Sequence, residues 1–569
     1  MPLSHKLSLD DTIGPGPARA LKLFTLCFIL AKIILIFVLS NNTFFVMDEY
    51  AHAAHTGMIQ DFYVRYFPFK TVLSAYFYLP AQWLSANSAE AMLIARYQMA
   101  GAGVAVTVLV YLICLNMGRT KLEALFTVCV LLAFSTFIER VFRVRTEPLC
   151  LAPAMGALWI ITSRHKSGWI LFLAGLMSGV AFLTTQKAVY FNFALATAFI
   201  AEASTRKAYA EAFKKAAIFS FGWLVTVVVY SVYFRGPDFL VVINHIFVTP
   251  VRLAVHGGED YKNLREFVLM ALSRNAFVYG LCFAGLLISL VRLRKLSRVE
   301  MIVAVFTLIM TFFIFTHNQP WPYVFIMVIP FLSLYGIEAV KAVPAGIPYL
   351  KGAVLISALV VMIFSFKRNI YYFGHTNLLQ NLTSRQAESL LGTDDSYCDG
   401  VGMLVKKRFA GPAWWDARGI AEVMAEADKN EFKLLENIFS YHPKVWILSY
   451  RTSKLWPVLE PFLINSYVRV FPNVLLSGAQ VSAGKSVKFV NRWEGAYALY
   501  DSGGARLNRP FYINSKVIEG STLLKTGEYT ARLSGGAGRA YLLPDNINVP
   551  FTIPPARKPM ALYRDVYRY

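Results

Sequence analysis

Residues 21–55 read LKLFTLCFILAKIILIFVLSNNTFFVMDEYAHAAH: an apolar run, then Asp48, Glu49, His52 and His55 within eight residues. About twenty apolar residues suffice to cross the hydrocarbon core of a bilayer, so the acidic pair stands just past a membrane span. A helix starting near Asp48 places Asp48, His52 and His55 at i, i+4 and i+7 on one face. Glu49 is then turned away by about 100°. Carboxylates in a first helical turn also complement the helix dipole. The plain reading of the cluster is a capped interfacial helix. The sharper one is a catalytic carboxylate at the water–lipid boundary, with the histidines tuning it or joining it to hold a divalent metal ion.

The rest of the chain supports the membrane setting. Of 569 residues 56% are hydrophobic and 16% charged, and the mean hydropathy is +0.48, which excludes an ordinary soluble domain. Apolar windows fall at about 21–40, 93–115, 122–138, 148–162, 168–185, 188–203, 216–234, 275–291, 300–316, 322–340 and 350–366. They predict an α-helical polytopic membrane protein of about eleven transmembrane helices. The net charge of +22 is assigned to loops on the cytoplasmic side and to lipid phosphates, not to nucleic acid.

Alternate loops carry Arg119/Lys121, Arg164/Lys166, Arg206/Lys207/Lys214/Lys215, Arg292/Arg294/Lys295/Arg298 and Lys341/Lys351, whereas the turn THNQPWP has neither Lys nor Arg. This asymmetry predicts a cytoplasmic N-terminus and an extracytoplasmic region beyond about residue 367. No small-residue cleavage site follows the first apolar run, which is read as a retained span. Five of the six cysteines lie in or beside apolar runs; Cys398 stands alone in the polar part, so no disulfide closes there.

One turn breaks the charge rule. IERVFRVRTEPL puts Arg140, Arg143 and Arg145 on the outer side, where arginines are disfavoured. Either they pair with Glu139 and Glu147 or they bind an anionic ligand at the membrane surface, and the ligand reading is preferred. The first outer loop, 41–92, is aromatic and suits helices lying in the interface. The loop at 235–274 contains VHGGEDYKN, a glycine-bearing flap with His256, Glu259 and Asp260 placed to touch a substrate. Past residue 366 the composition turns polar. Residues 367–480 alternate helix (ARGIAEVMAEADKNEFKLLENIF) with short strands (KVWILSY, YVRVF), an α/β domain. Residues 481–569 show strands and turns only, a small β unit.

The acidic pair followed by Tyr and Ala just after the first span, MDEYAHAA, resembles the C-type (GT-C fold) glycosyltransferases that use polyprenyl-phosphate sugars. Within them it is similar to the protein O-mannosyltransferase and aminoarabinose-transferase group. The resemblance covers the span pattern of 1–366 and, more loosely, YHPKVWILSY. It implies a transmembrane catalytic domain (1–366) that moves a sugar from a lipid-phosphate donor to a glycan, lipid or protein acceptor of the cell envelope. Asp48 would be the base or the acceptor-binding carboxylate, with Glu49 orienting the acceptor or a metal, and Arg143, Arg145 and Lys187 (in LTTQKAVYF) would hold the donor phosphate. His317, in THNQPWPYVF, would contact the donor. The chemistry of these residue types agrees: a carboxylate can take the acceptor's proton, and cations can stabilise a leaving phosphate. The expected setting is a bacterial inner membrane. A lipid or solute transporter is the alternative; it would carry paired half-repeats, and none is visible. AWWDARG, at 413–419, is similar to the Trp-Trp-Asp-Tyr-Gly signature of oligosaccharyltransferases but has Ala417 for Tyr; its tryptophans are read as packing groups.

Overall fold

Helix Pro15–Asn42 opens on a proline, whose fixed φ suits a first helical turn, and runs through the apolar stretch that marks the first span. The computed structural model describes residues 15–60, 63, 70–163, 167–256, 264–317, 323–343, 348–410, 417–429, 431–535, 538–547, 550–551, 553–554 and 560–563. The chain forms two units. The first comprises Met1–Thr43, Gln60–Tyr78 and Ala95–His375; the second comprises Phe44–Ile59, Leu79–Ile94 and Thr376–Tyr569. The segment 41–92 is thus divided between them.

The first unit is helical and multi-pass. Among the described residues five helices are long and apolar enough to cross a membrane: Pro15–Asn42, Ser88–Asn116, Tyr209–Arg252, Arg298–Phe315 and Gly352–Gly374. A sixth arises if Arg265–Arg274 and Ala276–Val291, bent by 96°, count as one span. Helices Thr146–Thr162 and Gly168–Thr184 are apolar but shorter. Among the described residues, several of the eleven expected windows are thus filled by broken or shorter helices.

The breaks have local causes. Window 122–138 divides into Lys121–Ala133 and Ser135–Arg140, with Phe134 extended between them. The Ser135 N–H and Oγ donate to Asn275 Oδ1 at 2.9 and 3.0 Å, and Asn275 Nδ2 donates to Thr136 Oγ1 at 3.1 Å. Asn275 lies at the second break, between Arg274 and Ala276. One buried amide therefore satisfies groups freed by the first interruption. Window 322–340 becomes Val324–Met327, Ile329–Ser333 and Gly336–Lys341; Pro330 sits in the opening turn of its short helix, where its missing N–H costs least.

Polar side chains stitch the bundle. Lys32, fully buried in the first span, donates to Asn369 Oδ1 at 2.7 Å, with its Nζ 4.1 Å from the Phe366 ring centroid. Arg96 Nη1 donates to the Ser40 and Thr43 carbonyls at 3.2 and 2.6 Å, acceptors that the end of a helix leaves open. Several cations counted toward orientation are also paired: Arg119 with Glu338 at 3.3 Å, Lys341 with Glu123 at 3.1 Å, and Arg298 with Glu202 at 2.6 Å. Helices Gly168–Thr184 and Tyr209–Arg235 meet backbone to backbone. A Cβ at Gly175 would lie 2.1 Å from the Phe219 carbonyl oxygen, and one at Gly222 2.2 Å from that of Phe172. Small residues allow such contact between membrane helices.

The second unit holds the strands. β1 (Ser396–Cys398), β2 (Arg408–Phe409), β3 (Val445–Ile447), β4 (Tyr467–Phe471) and β5 (Val474–Ser477) form one sheet in the order β2-β1-β3-β5-β4. β1 pairs in parallel with β2 and β3; β5 pairs antiparallel with β3 and β4. Trp446, fully buried on β3, anchors a core with Leu435, Phe439, Leu459 and Tyr467. The stretch expected as one helix through 417–439 is two, Ala417–Asp428 and Lys433–Ser440; Glu426 Oε2 accepts the Leu434 N–H at 3.0 Å, binding the start of the second to the end of the first.

β6 (Ala479–Ser482), β7 (Val487–Asn491), β8 (Gly495–Tyr500), β9 (Phe511–Ile513), β10 (Lys516–Ile518), β11 (Ser521–Leu524), β12 (Gly527–Leu533) and β13 (Arg539–Pro544) make two antiparallel four-stranded sheets, β10-β9-β12-β7 and β11-β8-β13-β6. They share a core that includes Phe489, Tyr497, Leu499, Phe511 and Leu542. Asp395, just ahead of β1, links the five-stranded sheet to the segment between β7 and β8. It accepts from Lys444 Nζ and from Trp493 Nε1, both at 2.8 Å.

Candidate functional site

In the second unit, helix Met47–Ala54 carries the acidic pair in its first turn. Glu49 is fully buried, and its Oε1 accepts the Val46 N–H at 2.9 Å, closing the start of the helix. That bond turns Glu49 back on its own backbone. Asp48 is half-buried on an adjacent face. One turn on, the half-buried His52 and the buried His55 lie with ring centroids 5.8 Å apart and planes nearly perpendicular. The helix does start where the i, i+4, i+7 reading requires, although His55 falls at its end and opens the 3-10 turn His55–Met58. Among the described residues no group of three or more His, Cys, Asp or Glu side chains could hold a metal ion.

In the first unit, four chain segments bring charge and aromatic rings to one place. Arg145 is the residue ahead of helix Thr146–Thr162, and Glu147 lies in that helix's first turn. Pro148 is tolerated there because the first turn has unpaired N–H groups anyway. Glu147 is 3% exposed; its Oε2 accepts from Arg145 Nε at 3.3 Å and its Oε1 from Lys187 Nζ at 2.6 Å. Lys187 sits in the 3-10 turn Gln186–Ala188, which Gln186 ties down by donating to the Ile246 carbonyl at 3.0 Å. The Arg145 guanidinium carbon lies 3.4 Å from the Tyr323 ring centroid, and Lys187 Nζ lies 5.0 Å from it. Tyr190 and His317 Nδ1 are hydrogen-bonded at 2.9 Å. Burial, and then the charge of Lys187, pull the His317 pKa down to about 3, so the ring is neutral at working pH.

Among the described residues the cluster brings together the cations Arg145 and Lys187, the carboxylate of Glu147, a neutral histidine and two phenol rings. A guanidinium stacked on a ring and held by a carboxylate keeps a fixed orientation. Of the two alternatives posed for these arginines, pairing with a neighbour is seen for Arg145, whose partner Glu147 also meets Lys187.

Arg143 stands two residues ahead of Arg145. Its Nε donates to the Glu139 carbonyl at 3.3 Å and its guanidinium carbon lies 5.2 Å from the Phe142 ring centroid. Glu139 accepts from Tyr372 Oη at 2.8 Å and lies 3.9 Å from Arg274 Nη1. Of the flap residues, Glu259, Asp260 and the His256 side chain lie outside the described residues, as do Trp414 and Trp415. Tyr323 and Tyr190 were not anticipated. Both adjoin residues that were, Tyr323 in THNQPWPYVF and Tyr190 three positions past Lys187, and an aromatic ring beside a boundary cation is the signal that marks them.

A family model described as "Domain of unknown function (DUF7056)" matches residues 434–476, from helix Lys433–Ser440 into β5. No curated protein matches the chain. Solved structures do. ArnT from Cupriavidus metallidurans bound to undecaprenyl phosphate is 13% identical with a TM-score of 0.59, over 79% of this chain and 97% of that one. Its apo state is also 13% identical with a TM-score of 0.57, over 80% and 98%. The archaeal oligosaccharyltransferase AglB from Archaeoglobus fulgidus, in complex with an inhibitory peptide and a dolichol-phosphate, is 11% identical with a TM-score of 0.49, over 94% and 97%. The chain is a multi-pass membrane protein with the C-type glycosyltransferase fold shared with ArnT.

Proposed function

We propose that the chain is an integral-membrane glycosyltransferase that moves a sugar from a polyprenyl-phosphate donor to an envelope glycan, lipid or protein on the extracytoplasmic side. The observation that carries this reading is the Arg145–Glu147–Lys187–Tyr323 cluster, on a fold whose relative ArnT was solved bound to undecaprenyl phosphate. A sugar phosphodiester has one negative charge, which the cations Arg145 and Lys187 can meet. As the sugar leaves, a second negative charge develops on the phosphate. Cations already fixed in place by Glu147 and Tyr323 stabilise that charge without reorganising. Neutral His317 adds a hydrogen-bonding ring rather than a third charge.

In this reading Asp48 takes the proton from the acceptor hydroxyl, whose oxygen attacks the anomeric carbon while the bond to phosphate breaks. Glu49 fixes the start of the helix that presents Asp48, and Arg143 supports the turn that leads to Arg145. One displacement inverts the anomeric centre. The bacterial inner membrane is the proposed location. The experiment is mass spectrometry of envelope glycans from cells that lack the chain, cells that carry it, and cells that carry Asp48→Asn. One sugar should be missing from the first and third. Identical glycans in all three would remove the enzyme reading, and a product retaining the donor's configuration by NMR would remove the single displacement alone.

A further inference from the structure

Gln380 lies on helix Leu378–Ser389, 335 positions from Phe45, and the two form a reciprocal pair. The Phe45 N–H donates to Gln380 Oε1 at 2.6 Å, and Gln380 Nε2 donates to the Phe45 carbonyl at 2.8 Å. Gln380 is 2% exposed and Phe45 is fully buried. A side-chain amide that both gives to and takes from one residue's backbone acts like a neighbouring strand. Only one amide orientation satisfies both bonds, so the pair also specifies the direction of the Phe45 peptide groups. Phe45 is followed by Val46, the cap residue, and the next helical turn holds Asp48.

The same helix reaches the other end of the loop. Glu388, eight residues on and therefore about 12 Å along the axis, accepts the Ser88 N–H through Oε2 at 2.7 Å, at the start of helix Ser88–Asn116. Lys406 adds bonds from Nζ to the Gln82 carbonyl at 3.0 Å and to the Ser85 carbonyl. Tyr50, buried on the Asp48 helix, meets Phe45 at 5.2 Å and the tail residue Tyr563 at 6.3 Å between ring centroids. The segment bearing Asp48 is thus tied to the C-terminal region through the Gln380 amide and the Tyr563 ring.

We propose that Gln380 is a positioning residue for sugar transfer: its amide fixes the backbone ahead of the Asp48 helix and thereby the approach of that carboxylate. The proposal rests on the assignment of Asp48 as base. A displacement of about 1 Å in a catalytic group can cost about 100-fold in rate, so the constraint acts on turnover more than on donor binding.

The test uses the full chain in lipid nanodiscs, with the lipid-linked sugar fraction extracted from cells lacking the chain as donor. Gln380→Met keeps the length of the side chain and removes both bonds. It should lower kcat about 10- to 100-fold and leave KM for the donor within about twofold. Gln380→Glu offers no donor while ionised, but its protonated carboxyl can restore both bonds. Its activity relative to the unaltered chain should therefore rise as pH falls through the carboxyl's titration, a recovery that Gln380→Met lacks. This comparison within one preparation stands even if Gln380→Met fails to fold. Deuterium exchange at residues 45–50 should quicken in Gln380→Glu at neutral pH. A kcat within twofold of the unaltered chain in both variants, or no acid recovery, overturns the positioning role. If Asp48→Asn remains fully active, the base assignment falls and takes this role with it; exchange at 45–50 then reports on the clamp alone, and unchanged exchange overturns that too.

Discussion

Glu147 and Lys187, forty positions apart, meet at 2.6 Å between Oε1 and Nζ, and the same carboxylate accepts from Arg145 through its other oxygen. A carboxylate shared in this way aligns two cations at once, and its removal should act on both. Breaking a buried ion pair from one side costs about 3–5 kcal/mol. Because the Lys187 side chain is one-fifth exposed, we expect Glu147→Ala to fall near about 3 kcal/mol, read as a lower unfolding temperature in detergent. The double variant Glu147→Ala/Lys187→Met should recover part of that loss, and strict additivity would refute the coupling.

The Arg145 guanidinium carbon lies 3.4 Å from the Tyr323 ring centroid, a contact that a phenyl ring can also make. Tyr323→Phe should therefore keep donor affinity, and Tyr323→Leu should raise KM for the lipid-linked sugar about tenfold, the equivalent of about 1.4 kcal/mol of lost cation–π contact. Equal KM values for the Phe and Leu variants would show that the ring face is unimportant.

His317 gives a dependence on acid. Its folded pKa of about 3 lies below the ordinary value of 6.5, so between these limits the unfolded chain binds the extra proton. Unfolding free energy then falls as pH drops through that window, and the neutral ring's contribution is complete above 6.5. His317→Gln should flatten this slope in unfolding temperatures measured between pH 6.5 and pH 4. An unchanged slope would mean that other groups produce it.

Gly222 leaves no space for a methyl group, since a Cβ would press on the Phe172 carbonyl, which is backbone and cannot rotate away. We expect Gly222→Ala to destabilise the helix pair by about 1–3 kcal/mol. Gly280, whose Cβ would meet nothing within 4 Å, should accept Ala without loss in the same unfolding assay.

What could be read from the sequence follows from the range of the interactions. Local patterns were legible: the first span, the helix start at MDEY, and the strands YVRVF and GEYTARL all appear where alternation and composition place them. Breaks supplied by distant partners were not. Nothing within 122–138 signals that Phe134 leaves the helix, because the group that compensates it is Asn275. For Arg145 the sequence favoured a ligand over a carboxylate and did not show the pairing with Glu147, since that shared partner depends on where Lys187 arrives in space. The amide of Gln380 carried no signal at all in a polar stretch, 335 positions from the residue that it serves.

Asn275 has a consequence for how such a chain can change over time. Two kinks in different helices are written into a single carboxamide, so neither can be straightened or shifted by a lone substitution without stranding the Ser135 amide and the Thr136 hydroxyl in a dry interior. Positions 135, 136 and 275 should therefore vary together or not at all among descendants of this gene, and a transplanted helix from either side would need its counterpart to come with it.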